Sequence, residues 1–232
     1  MEKICFIGVF DKTDLLIYIS RILVEMGKKV LVIDSTVNQK AKYVVPSINP
    51  TTSYVTEYEG VDISVGFRSY NEIKRYLGLP ENAVLSYDYI FLDMDDPSLL
   101  DEFDIYNYTR KYFVTSPDLF DLKKGLEVLS GIRNPIELTK ILFSNKMTQA
   151  EDEYLNFLSL GYKINWNNEK IYFPMLSQDR DIIIENQRLS KIKFKGLSQE
   201  YKDSLIFLVQ EISGEASGNN IKKIIKKLEK GV

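Results

Sequence analysis

Short runs of apolar residues alternate along the chain with segments in which apolar residues recur every three or four positions. The first forty residues show this most clearly: an apolar run at 4–7, a helical repeat from Leu15 to Met26, and a second apolar run at 30–33. Such runs are typical of strands buried on both faces of a parallel sheet, and the repeat is typical of a helix. We therefore predict a strand, a helix ended by Gly27, and a second strand.

The same two patterns continue to residue 213. We predict further strands at 53–57, 61–67, 87–93, 111–116, 137–144 and 171–173. We predict further helices at 69–77, 117–130, 149–160, 181–186 and 198–213. The polar stretch 37–52 is predicted to be a surface loop. Alternating strands and helices indicate one doubly wound α/β domain over residues 1–213, with a mainly parallel sheet flanked by helices.

Composition excludes several classes of function. The chain has 232 residues, a net charge of −3, one cysteine and no histidine. Without histidine, Ser-His-Asp and Cys-His catalysis are excluded and an ordinary zinc site is disfavoured. No apolar run reaches the length of a membrane span, and the N-terminus lacks a signal-peptide pattern. We therefore expect a cytoplasmic protein.

Candidate ligand-binding residues follow the predicted strands. In a parallel sheet, ligands bind beyond the carboxyl ends of the strands, so the turn at 8–14 and Asp34 should face one crevice. The turn begins Gly-Val-Phe-Asp-Lys-Thr, residues 27–34 read Gly-Lys-Lys-Val-Leu-Val-Ile-Asp, and residues 87–93 read Tyr-Asp-Tyr-Ile-Phe-Leu-Asp. Together they resemble the P-loop, first-aspartate and Walker-B motifs of the MinD/ParA family of deviant Walker-A ATPases.

The resemblance implies a three-layer, P-loop NTPase-like fold and a nucleotide site. Residue by residue, it assigns nucleotide binding to Gly8, Lys12, Thr13, Asp34, Asp93, Asn145 and Pro174. It assigns magnesium binding to Thr13 and Asp93. Asp95 and Asp96 follow Asp93, and a cation site made only of carboxylates is an alternative interpretation of this cluster.

The loop departs from the family pattern at four positions. Ile7 replaces the signature lysine, Val9 and Asp11 replace loop glycines, and Thr36 replaces the second aspartate. A valine at positive φ is sterically unfavourable, and Asp11 places a carboxylate where a polyphosphate would lie. Asp11 could instead neutralise Lys12 or cap the helix. We therefore predict that Val9 and Asp11 block the site, and that the protein is a pseudo-ATPase.

The C-terminus combines a linker, residues 214–220, with a basic amphipathic helix, residues 221–232. Its apolar positions are Ile221, Ile224, Ile225 and Leu228, and five lysines lie elsewhere on the helical wheel. This pattern is typical of a membrane-surface anchor, and it resembles the membrane-targeting helix of MinD proteins. The alternative is a terminal helix packed on its own domain, with solvated lysines.

Three functions remain open at this point. The leading hypothesis is a degenerate MinD/ParA-like scaffold, nearest to the TadZ/CpaE type, that recruits a partner protein at the membrane and needs no cofactor. The alternative is an ATP-dependent dimerisation switch that uses ATP and Mg. DNA binding ranks last, because the tail is the only dense basic run and the body is acidic.

Overall fold

The computed structural model describes residues 1–47, 52–215 and 218–230. These residues form an eight-stranded sheet in the order β3-β4-β2-β5-β1-β6-β7-β8. The strands are β1 Glu2–Ile7, β2 Val30–Asp34, β3 Tyr54–Tyr58, β4 Val61–Val65, β5 Tyr89–Met94, β6 Arg110–Thr115, β7 Ile136–Leu142 and β8 Ile164–Tyr172. Only β3 runs antiparallel to its neighbour. The predicted doubly wound, mainly parallel α/β fold is therefore confirmed.

Helices cover both faces of the sheet. They are α1 Thr13–Glu25, α2 Ala41–Val44, α3 Tyr70–Tyr76, α4 Leu119–Val128, α5 Gln149–Leu158, α6 Ser177–Leu189, α7 Gln199–Ser213 and α8 Gly218–Lys230. Side chains alternate between the faces along each strand. One apolar core therefore lies between the sheet and α1, α6, α7 and α8, and a second lies between the sheet and α3, α4 and α5.

The strand order brings the candidate residues to one edge of the sheet. β5 lies between β1 and β2, and its Asp93 is directly opposite Asp34 of β2 and Phe6 of β1. The turn that follows β1 therefore lies beside both aspartates, as the sequence predicts.

Four segments differ from the sequence-based prediction. β8 begins at Ile164 rather than 171, and α6 spans Ser177–Leu189 rather than 181–186. β8 is an edge strand, so its polar residues face solvent and hide the apolar pattern. The predicted loop 37–52 contains α2, while residues 48–51 lie outside the described residues. α8 begins at Gly218, inside the predicted linker 214–220, while residues 216, 217, 231 and 232 lie outside the described residues.

The basic C-terminal helix packs on its own domain. Ile221, Ile225 and Leu228 are buried against the core that contains α1 and α7, and Ile224 is partly buried. Lys202 of α7 pairs with Glu229 at 2.6 Å, and Lys227 pairs with Glu25 of α1. Of the two alternatives for the tail, the structure has the packed one. None of the described helices is both long and apolar enough to cross a membrane.

Candidate functional site

A crevice of about 420 Å³ opens at the carboxyl edge of the sheet. Its walls are the turn after β1, the start of α1, the segment after β2 and the end of β5. The lining residues are Val9, Phe10, Asp11, Lys12, Thr13, Thr36, Asn38, Lys40, Tyr43, Asp93 and Asp95. The crevice therefore contains both of the predicted site-blocking residues and three of the seven predicted nucleotide-binding residues.

Gly8 brings the turn close to the neighbouring strand. Its φ is +139°, and a Cβ at this position would lie 2.3 Å from the carbonyl oxygen of Val114 on β6. Any side chain would therefore push the turn away from the sheet. The Gly8 carbonyl in turn accepts a hydrogen bond of 2.7 Å from the Lys12 ammonium.

Lys12 makes its polar contacts inside the protein. Its side chain is 2% exposed, and its Nζ lies 2.6 Å from Oδ1 of Asp93 as well as against the Gly8 carbonyl. Asp93 is also 2% exposed. Burial raises the pKa of the Asp93 carboxyl to about 7, although the Lys12 ammonium acts in the opposite direction. Lys12 and Asp93 thus form a buried ion pair at the base of the crevice.

Asp11 occupies the N-terminal end of α1. Its carboxylate accepts a hydrogen bond of 3.1 Å from the Thr13 backbone N–H, and its second oxygen pairs with Lys40. The N-cap residue of α1 is Lys12, and no side chain caps the helix there, so Asp11 bonds the first N–H from one residue further out. Its cation partner is Lys40 rather than Lys12. A carboxylate of the chain itself therefore lies where a helix N-terminus would attract an anion.

Val9 does not adopt the strained conformation that the family's loop would impose. Among the described residues, the only non-glycine residues with positive φ are Gln39, Glu59, Asp104 and Ser190. The turn follows a path that a β-branched side chain tolerates. The steric argument against Val9 therefore does not apply to this turn, because Val9 is not at positive φ.

Asp34 organises the segment that follows β2. It is 1% exposed, and its oxygens accept hydrogen bonds from the Thr36 N–H at 3.1 Å, the Thr36 hydroxyl at 2.6 Å and the Ala41 N–H at 2.9 Å. These bonds shape the turn that leads into α2. Asp34 lies beside Asp93 in the sheet, but its two oxygens are already hydrogen-bonded within the chain.

The carboxylates after β5 point to different partners. Asp95 accepts from the Val37 N–H at 2.7 Å, while Asp96 accepts from the Ser98 N–H at 2.9 Å and pairs with Arg68 at 3.3 Å. Across residues 1–47, 52–215 and 218–230, no group of three or more histidine, cysteine or acidic residues could hold a metal ion. The alternative of a carboxylate-only cation site is therefore not supported in the described part of the chain.

A second cleft of about 360 Å³ adjoins the first and shares Phe10, Asp11 and Lys40 with it. It is also lined by Asp14, Leu15, Phe143, Met175, Arg180, Ile183, Ile184, Gln187 and Tyr201. Asn145 and Pro174, predicted at the base of a nucleotide, line neither cleft. Asn145 is exposed and Pro174 is half-buried, next to lining residues Phe143 and Met175.

The sequence did not predict Lys40 and Gln187, which contact Asp11 and Asp14 where the two clefts meet. Lys40 Nζ pairs with Asp11 and lies 2.7 Å from Oδ2 of Asp14, and Gln187 donates to Asp14 at 2.9 Å. Lys40 lies in a segment predicted to be an ordinary loop, and Gln187 lies beyond the predicted end of α6. Nothing in the local pattern signals that these residues meet.

These residues do not fit a bound magnesium–polyphosphate in the arrangement seen. The anion position at α1 holds the Asp11 carboxylate, and the Lys12 ammonium is paired with Asp93. Thr13, to which the resemblance assigns nucleotide and magnesium binding, is 6% exposed and lines the crevice. A polyphosphate would have to displace Asp11 and draw Lys12 away from its buried partner.

No protein-family model matches this chain, and no curated protein matches its sequence. Its structure, however, resembles several solved ones. The MinD cell division protein of Aquifex aeolicus aligns with a TM-score of 0.56 and 16% identity, over 94% of this chain and 98% of that one. The MinC:MinD complex of the same organism aligns with a TM-score of 0.57 and 16% identity, over the same shares.

A putative plasmid partition protein from Borrelia burgdorferi B31, bound to AMPPNP, has a TM-score of 0.53 and 14% identity over 98% of this chain and 99% of that one. At these identities the likeness establishes the fold. The bound AMPPNP describes the Borrelia protein and not this chain.

Proposed function

We propose that this chain, which has the fold of the MinD/ParA P-loop ATPases, is an assembly scaffold with little or no ATP hydrolysis. The similar solved structures, which are named for cell division and plasmid partition, support a positioning or partition-type protein. The observation that carries the proposal is the Asp11 carboxylate at the N-terminus of α1. The MinC:MinD complex among the similar structures supports a protein partner for this chain.

Electrostatics argue against polyphosphate binding at this position. Two negative charges about 4–6 Å apart near a protein surface repel by at most about 3–4 kcal/mol, and here by less, because Asp11 is half exposed and paired with Lys40. Lys12 is the cation that would offset this repulsion, but it is already paired with Asp93. Removing one member of a buried pair costs about 3–5 kcal/mol, because the other charge is left uncompensated. Both terms therefore weaken nucleotide binding.

The residues that would support hydrolysis are also missing. Ile7 stands where the family has its signature lysine, and it is fully buried in the core. Thr36 stands at the second aspartate, and its hydroxyl donates to Asp34. Groups that stabilise transition-state charge or position water are each worth about 10²–10³ in rate or more. Both changes support low turnover, even if a nucleotide is bound.

Calorimetric titration with Mg-ATP and Mg-ADP tests this proposal. We expect no binding by the unmodified protein and a gain of binding in Asp11→Gly, because that change removes the carboxylate from the helix N-terminus. Asp101→Asn is the matched control, since Asp101 pairs with Arg133 on the outer surface. Micromolar binding by the unmodified protein that is lost in Lys12→Ala would overturn the proposal.

The alternative function is an ATP-dependent dimerisation switch. It is favoured by the meeting of Lys12, Thr13 and Asp93 at one crevice, which is the arrangement that the resemblance assigns to ATP and Mg. In that case Asp11 would have to leave the N-terminus of α1 when the nucleotide enters. ATP-dependent dimerisation, measured by light scattering and lost in Lys12→Ala, would establish this alternative.

We also propose that the scaffold contacts a membrane surface peripherally, through the lysines of α8. In the packed arrangement the apolar stripe of Ile221, Ile225 and Leu228 is covered, whereas Lys222, Lys223, Lys226, Lys227 and Lys230 are exposed. Lysines near anionic lipid contribute about 1 kcal/mol each. Contact in this arrangement is electrostatic, and insertion of the stripe would first require α8 to leave the domain.

A further inference from the structure

The boundary between the two clefts is already a cation site. The ammonium of Lys40 lies between the carboxylates of Asp11 and Asp14 and lines both clefts. Gln187 of α6 donates both of its contacts to Asp14, at 2.9 and 3.1 Å, and so holds that carboxylate in place. Lys40 belongs to the segment between β2 and α2, so its side chain reaches the site from a different element.

A buried hydroxyl without a partner lines the adjoining cleft. Tyr201 is 0% exposed, and its hydroxyl has no hydrogen-bond partner among the described residues. A buried polar group of this kind is unfavourable when it is left unsatisfied. The hydroxyl oxygen is free to accept a hydrogen bond from a ligand N–H. This observation is independent of the acidic residues and points to a ligand in the same cleft.

The charges of the two clefts favour a cationic ligand. Without Lys40, the lining carries four carboxylates, Asp11, Asp14, Asp93 and Asp95, against Lys12 and Arg180. Lys12 is paired with Asp93, and Arg180 is exposed on α6. An anion that enters the clefts meets net negative charge. A cation instead takes the position of the Lys40 ammonium between the two carboxylates.

The walls of the second cleft suit a long side chain with a planar charged end. Its apolar residues include Phe10 and Phe143, whose ring centroids are 4.5 Å apart, and Leu15, Ile183 and Met175. Apolar walls of this kind cover the methylene stem of arginine or lysine. A guanidinium also stacks on aromatic rings and binds a carboxylate with two parallel hydrogen bonds, which an ammonium does not do.

We propose that this site binds an arginine side chain of a partner protein, whose guanidinium takes the place of the Lys40 ammonium between Asp11 and Asp14. The inference rests on the proposed function, because a bound polyphosphate would occupy the same crevice. Tyr201 accepts a hydrogen bond from the guanidinium. When Lys40 is displaced, the segment after β2 loses its ion pairs with Asp11 and Asp14 at the start of α1. Partner binding therefore changes the conformation of the segment that lines the entrance of the crevice.

The test is an NMR titration with N-acetyl-arginine methylamide, compared with its neutral isostere N-acetyl-citrulline methylamide. If Lys40 competes with the ligand, Lys40→Ala binds the arginine probe about tenfold or more tighter than the unmodified protein, the factor expected for one charge-assisted contact. A merely structural Lys40 gives the opposite result, because its removal loosens the site. Asp14→Asn in the Lys40→Ala background should lose the gain, and Tyr201→Phe should lose part of it.

Asp101→Asn in the Lys40→Ala background is the control, and it should leave the gain unchanged. Equal binding of the citrulline probe, or no gain in Lys40→Ala, would overturn the inference. A parallel titration with Mg-ATP separates the two failures. If neither probe nor nucleotide binds, the inference fails and the scaffold proposal stands. If Mg-ATP binds the unmodified protein and excludes the arginine probe, both fail.

Discussion

The charge state of Asp93 depends on the fold of this crevice. Burial raises the pKa of its carboxyl to about 7, although Lys12 opposes the shift. The unfolded chain ionises this group near pH 4, about 3 units lower, so the folded state holds the extra proton between those values. The stability that this proton contributes is present below about pH 4 and is lost as the pH rises to about 7.

We therefore predict that the Asp93 contribution to the free energy of unfolding falls between about pH 4 and pH 7, by on the order of a few kcal/mol. Urea unfolding at several pH values, with the unmodified protein and with Asp93→Asn, measures it. The difference between the two proteins should grow with pH in the direction that favours the variant. Parallel pH profiles would contradict the prediction.

The fold requires glycine at position 8 because of its backbone conformation and its close approach to β6. Its φ of +139° and the 2.3 Å that would separate a Cβ from the Val114 carbonyl oxygen leave no room for a side chain. We predict that Gly8→Ala lowers the free energy of unfolding by about 3 kcal/mol or more, through strain and the shift of the turn. Gly161→Ala is the control, because nothing lies within 4 Å of its Cβ position. Similar denaturation midpoints for the two variants would argue against this account.

At the scale of elements, α8 is held mainly by its apolar stripe. Ile225 is 3% exposed, whereas the Lys227 side chain that pairs with Glu25 is 54% exposed. We predict that Ile225→Ala lowers the free energy of unfolding by about 2 kcal/mol or more, through lost burial and an added cavity. Lys227→Ala should change it by less than about 1 kcal/mol, because exposed pairs contribute little. Chemical denaturation measures both, and the reverse order would show that charge holds the helix.

At the scale of the whole molecule, the fold assembles a basic face that the sequence does not show as one run. Lys191, Lys193 and Lys195 are exposed and alternate with buried Ile192 and Phe194. With Lys230 of α8 and with Arg21, these three lysines line a cleft of about 610 Å³, which also contains two carboxylates, Glu59 and Glu229. The basic run of the tail is therefore extended in space by the three lysines of a second segment.

Sedimentation with anionic vesicles distinguishes the two ways in which this face could meet a membrane. If α8 stays packed, binding depends on surface charge: it weakens at high salt, in the triple variant with glutamine at 222, 223 and 226 of α8, and in the triple variant with glutamine at 191, 193 and 195 beside α8. If the apolar stripe inserts, binding resists salt and is lost in Ile224→Asp. Retention on DNA but not on vesicles would contradict both, and would reverse the low rank given to DNA.

The alternating patterns of the sequence were sufficient for most elements, because a strand buried on both faces and a helix with one buried face each leave a periodic signal. The strand at 4–7, the stop of α1 before Gly27 and the helix at 69–77 follow from local rules, and the structure has each of them. The first part of β8 and the whole of α2 were missed, since an edge strand is half solvated and α2 depends on a hydrogen bond from Ala41 to Asp34.

The sequence by itself determined the α/β fold, the crevice at the carboxyl edge and the presence of Lys12, Asp11 and Asp93 there, because these depend on periodicity and on the ends of neighbouring strands. Only the tertiary structure decided what these groups bind. It paired Lys12 with Asp93, placed Lys40 between Asp11 and Asp14, and covered the stripe of α8. Such choices depend on groups far apart in the chain that compete for the same charge or the same apolar surface, and local spacing carries no record of that competition.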